Sequence, residues 1–150
     1  MATTLSSCSL PTARPKASEP AAEPGISREA AAELLNAVPG LRNGDVGVVI
    51  SGLSYQVIME VSVDDAASIL APGVLDYVLR VGWATELPNE PTILSLTVWN
   101  DGTTLDLQST AQELTGGANL ESVNPFSAYL DAPVDYLGDW PGTVPTPPAV

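Results

Sequence analysis

Residues 46–63 read VGVVISGLSYQVIMEVSV, and they decide the fold class. From Tyr55 to Val63 every second residue is apolar: Tyr55, Val57, Met59, Val61 and Val63 share one face, while Gln56, Glu60 and Ser62 share the other. A period of two is a strand signature, and the apolar/polar alternation places one face on a core. Val46, Val48 and Ile50 repeat the pattern before Ser51-Gly52-Leu53-Ser54, which reads as a short hairpin connection. Two antiparallel strands are therefore expected over 46–51 and 55–63.

Upstream, Ser27 reads as an N-cap and Glu29 sits in the first turn, where a negative charge complements the helix dipole. Ala31, Leu34, Leu35 and Val38 recur at helical spacing until Pro39-Gly40 ends the run. A helix near 28–37 is expected. Downstream, Asp64-Asp65 leads toward a second helix near 72–84. Pro72 is expected in its first turn, and Leu75, Val78, Leu79 and Gly82 form its buried stripe, with Trp83 beside it. Asp76 and Arg80 lie four apart and read as a weak, solvent-side ion pair. Two further strands, 92–99 and 103–109, flank Asn100-Asp101-Gly102, a strong hairpin signal because these residues tolerate positive φ. A turn of helix is expected around 110–115, capped by Gly116-Gly117.

The order α-β-β-α-β-β predicts an α+β fold: a two-layer sandwich of a four-stranded antiparallel sheet and two helices. The expected division is a start and Pro/Ala-rich linker over 1–25, the α+β domain over 26–117, and an acidic, aromatic extension with a Pro-rich tail over 118–150. Residues 9–25 hold four prolines and only one large aliphatic residue, Leu10. Such a segment cannot bury enough apolar surface to offset its ordering entropy, so disorder is expected there. The end, WPGTVPTPPAV, holds four more prolines and carries the same expectation.

Composition narrows the chemistry. Acidic residues outnumber basic ones 18 to 5, the net charge is −13, and there is no histidine. That balance argues against nucleic-acid binding, which rests on Lys and Arg neutralising phosphates. A Ser-His arrangement is excluded, and the sole lysine, Lys16, which a Ser-Lys pair would need, lies in the linker. Asp64, Asp65, Asp101 and Asp106 are explained by turns, helix entry and a strand's solvent face. The twelve-residue spacing of a calcium loop is absent. No catalytic residue, no metal site and no cofactor are expected, and the chain reads as a non-enzyme.

The single cysteine carries the sharpest local signal. Leu5-Ser6-Ser7-Cys8 matches the lipobox, an aliphatic residue followed by two small residues and a cysteine, and a spacer-like linker follows at once. The chain resembles bacterial lipoproteins, a class in which the cysteine becomes the lipid-modified N-terminus. The central stretches PGLRNGDVGVVI, DDAASILAPGVLDYVLRVGWAT and LDLQSTAQELTGG are similar in pattern to small actinobacterial secreted or lipid-anchored proteins of unknown function. The resemblance implies a domain on the extracytoplasmic face of the cell membrane, held through a lipid on Cys8. Such a protein is exported on a basic start and an apolar h-region, which Met1-Ala2-Thr3-Thr4 does not provide. Either the reading frame extends upstream of Met1, or the start has been trimmed, or Cys8 is an ordinary free thiol in a disordered N-terminus.

Residues 124–142, NPFSAYLDAPVDYLGDWPG, interleave Phe126, Tyr129, Tyr136 and Trp140 with acids and no base. These aromatics are candidate binding residues for a protein partner, because each offers contact area and, in Tyr and Trp, a polar handle. Packing on the core is the competing use. Ile58, Ile93 and Trp99 fall on the sheet face away from the core and mark a second candidate surface. The alternative to an envelope lipoprotein is a cytosolic acidic binding protein, an inhibitor or immunity-type partner of a basic protein.

Overall fold

The computed structural model describes residues 25–107, 110, 120–124, 127–130 and 136–149, of which 120–124 and 127–130 are described by their backbone. The chain adopts a mixed α+β fold. Helix α1 (Arg28–Asn36) begins where its cap requires: the Ser27 hydroxyl accepts from the Ala30 amide at 3.1 Å. Strands β1 (Leu41–Ser51) and β2 (Ser54–Val63) form the expected hairpin, paired antiparallel from Leu41↔Val63 to Ser51↔Ser54. β1 starts earlier than its alternation predicts. An irregularity between Arg42 and Asp45 breaks the period there, with Asn43 at φ 51° and the Gly44 amide donating to Asn36 Oδ1 at 2.8 Å.

The segment after β2 is two helices rather than one. Asp65 caps a short α2 (Ala66–Leu70), accepting from the Ala67 amide at 2.9 Å. Pro72 lies in the break, and α3 (Val74–Trp83) starts after Gly73, whose φ of 80° only glycine adopts without strain. Strand β3 (Pro91–Asn100) then joins β2 in parallel, with Val57↔Leu94 and Val61↔Val98 in register. This corrects the all-antiparallel expectation. Hairpin signals fix only pairs joined by tight turns. A helix packed on the sheet instead returns the chain to the end where it began, so the next strand runs the same way.

Asp101 and Gly102, at φ 50° and 76°, make the second hairpin turn as expected, but β4 is only Thr103–Thr104. The ladder stops because β3 shares that edge: β6 (Ser127–Leu130) pairs antiparallel with Leu94, Ser95 and Leu96, and β5 (Leu120–Asn124) pairs with β6. The sheet order is β1-β2-β3-β6-β5, with β4 beside β3. Residues assigned to an extension beyond 117 thus add strands to the sheet. Thr110 is helical, and the rest of the turn expected over 110–115 lies outside the described residues.

The helices lie on one sheet face. Leu75, Val78 and Leu79 join Val57, Met59, Leu94 and Leu96 in a single buried cluster with Ala31 and Leu35, as the apolar stripes require. Gly82 permits the close helix–sheet approach: a Cβ there would overlap Met59 Sδ and meet Leu94 Cδ1 at 3.2 Å. Residues 136–149, expected to end in a disordered tail, instead lie over the helices. Leu137 is buried, the Trp83 indole donates to Gly138 O at 3.0 Å, the Trp140 indole donates to Thr85 O at 3.2 Å, and Pro147 and Pro148 border a small cavity together with Leu34, Val38 and Tyr77. Proline weakens regular ladders, but this segment is held by indole hydrogen bonds and the burial of Leu137 rather than by a ladder.

Candidate functional site

Two regions bear on function: a polar cluster under the C-terminal strap, and the apolar surface that the helices leave uncovered.

The polar cluster is built by α3 and the strap. Asp76 and Arg80 share one helical face, and Arg80 Nε donates to Asp76 Oδ1 at 2.9 Å. The Tyr136 hydroxyl donates to the same oxygen, and the Arg80 guanidinium lies 5.0 Å from the Tyr136 ring centroid. The pair expected to be solvent-side is therefore about two-thirds buried and serves to fasten the strap. Burial pushes the Tyr136 phenol up to about 12, and its hydrogen bond to the Asp76 carboxylate and that group's charge add to the rise. Burial works against the charge on Arg80, yet its bond to Asp76 raises it further. Arg80 Nε and the Tyr136 hydroxyl converge on Asp76 Oδ1, an arrangement that latches the strap to α3.

This latch has a pH signature. Below pH 10 the phenol is protonated in folded and unfolded chains alike, and its stabilisation is fully present. As pH rises from 10 toward about 12 the unfolded chain ionises first, so stability falls. We expect Tyr136→Phe to flatten that alkaline decline by about 1 kcal/mol, allowing for solvent screening of a part-exposed group. Urea titrations across this pH range read the difference. An equal slope in both proteins would contradict the latch.

The four aromatic candidates divide. Tyr136 and Trp140 both turn inward, packed beside the core cluster. Tyr129 stands on β6 opposite Ser95 of β3 and Glu121 of β5, with its side chain not described. Phe126 and Cys8 lie outside the described residues. The inward use of Tyr136 was invisible in sequence because its partners Asp76 and Arg80 lie far away along the chain.

The uncovered surface is the sheet face away from the helices and the β1–β2 hairpin end. On that face Ser95 is buried at the centre of β3, Ile58 and Ile93 are half-buried, and Val49 and Trp99 are exposed. At the hairpin end Ile50 is 59% exposed and Leu53 fully so. Neither 46–59 nor 91–100 contains a charged residue, in a chain with 18 acids. In sequence the surface is marked only by the gap in charge along these two stretches. A groove of about 300 Å³ also opens beside Ile69, Pro72, Leu75 and Asp76.

Among the described residues no group of three or more His, Cys, Asp or Glu side chains gathers as metal ligands would, and no helix is long and apolar enough to cross a membrane. Comparison with protein-family models, curated proteins and solved structures gave no match.

Proposed function

We propose that this chain is a non-enzymatic, lipid-anchored protein of the cell envelope. Its α+β domain stands on the extracytoplasmic side and binds a protein or envelope ligand. The observation that carries the binding role is the apolar patch on the outer sheet face, exposed Val49 and Trp99 beside half-buried Ile58 and Ile93, with the acids Asp45 and Glu60 at the far end of the same face. Apolar surface left open on a strongly acidic domain is where a partner gains most from excluding water. The Leu5-Ser6-Ser7-Cys8 pattern and the linker after it support the anchor. Two acyl chains hold a domain at a bilayer because each buried CH₂ contributes about 0.8 kcal/mol.

The anchor is tested in the native host with the complete reading frame. The wild-type protein is expected in the membrane fraction, and Cys8→Ser is expected to release it with an unchanged melting temperature. A wild-type protein found wholly in the soluble fraction would overturn this reading. It would favour a cytosolic acidic partner of a basic protein, for which the charge of −13 supplies steering.

A further inference from the structure

The exposed apolar residues of the β1–β2 hairpin do not share one face. Val49 lies on the outer sheet face, paired with Gln56, whereas Ile50, paired with Tyr55, lies on the helix face beyond the reach of the helices. Leu53 stands at the turn, 101% exposed. A partner strand or helix laid on the sheet would cover one of these sides and leave the other wet. A medium that surrounds the tip covers all three.

The tip also shares an end of the sheet with the point where the N-terminal segment enters. Tyr55 is in register with Pro91 at the start of β3, and the loop leading to Pro91 leaves α3 at Thr85. Ile26 bridges to Thr85, with its amide bonded to Ala84 O at 2.8 Å and its carbonyl accepting from Glu86 at 2.8 Å. The residues between Cys8 and Gly25 span at most about 55 Å when fully extended. A domain tethered at Cys8 therefore meets the bilayer at high effective concentration, so a small contact suffices.

From these observations we infer that the hairpin tip, Val49, Ile50 and Leu53, inserts into the membrane interface as a second, reversible contact that orients the domain. The surface it fits is zwitterionic. Glu29 in the first turn of α1, Glu86 bonded to Ile26 and Glu90 before Pro91 belong to the same end of the molecule, with Arg28 beside them, and this net negative charge would be repelled by anionic headgroups. The inference rests on the proposed anchor only for the tether.

The test supplies that tether chemically. The full chain carrying Leu53→Trp as reporter is coupled through the Cys8 thiol to maleimide lipid in phosphatidylcholine vesicles. Vesicles with bromine low on the acyl chains report contact, and the wild-type chain coupled in the same way gives the background of the native tryptophans. The expected result is a blue-shifted reporter emission quenched about twofold or more, as for an indole below the headgroups. Ile50→Glu in the same chain should abolish the quenching without lowering the melting temperature, and adding phosphatidylglycerol should weaken it. An unquenched, water-exposed reporter overturns the inference. So does a blue shift that depends on protein concentration without vesicles, which would place a second copy on the tip. Either failure leaves the native modification of Cys8 untouched, and an unmodified native Cys8 leaves the vesicle result untouched.

Discussion

Trp83→Ala is expected to lower stability by about 3–5 kcal/mol, the range for deleting a buried aromatic side chain. Trp83 is 1% exposed and is the largest fully buried side chain. It joins three parts of the fold. Its ring sits in the core cluster with Leu94 and Leu96 from the sheet, its indole donates to Gly138 O at 3.0 Å, and its own carbonyl accepts from Gly142 at 3.1 Å. The substitution opens a cavity and leaves the Gly138 carbonyl without its donor. Trp83→Phe keeps most of the volume and should lose less. Urea unfolding measures both, and a loss under about 1 kcal/mol for Trp83→Ala would show that α3 does not pack as described.

Ending the chain after residue 135 is expected to be nearly as damaging, with a loss of about 3 kcal/mol. Leu137 is 6% exposed, and burying a leucine contributes about 1.5–3 kcal/mol. The two indole bonds, Trp83 to Gly138 and Trp140 to Thr85, contribute about 1 kcal/mol each. Tyr136 and Trp140 also pack beside the core cluster. The shortened chain should melt several degrees lower. An unchanged midpoint would mean that the strap lies on the helices without stabilising them.

The contrast with a composition-based reading of this tail has a physical origin. WPGTVPTPPAV has few residues able to pair in a ladder, and by its own burial capacity it would remain unfolded. It orders because the surface it meets is already built. Elsewhere local signals sufficed. Ser27 and Pro39-Gly40 bounded α1, the alternation in 55–63 identified β2 and its core face, and Asn100-Asp101-Gly102 located a tight turn. Non-local choices were not legible. The parallel β2–β3 pairing, the end of β4 at Thr104 where β6 takes the edge of β3, and the use of Asp76 and Arg80 to hold Tyr136 each depend on segments distant in sequence. The same limit applied to the candidate surface. Ile58, Ile93 and Trp99 could be assigned to the outer face by alternation, but the exposure of Ile50 required knowing where the helices end.

Intact-mass analysis of the protein purified from its native membranes tests the anchor most directly. The expected species begins at Cys8, has lost everything before it, and carries a diacylglyceryl group, a mass that no unmodified form shares. A native protein that retains Met1 and an unmodified Cys8 thiol would contradict the envelope reading.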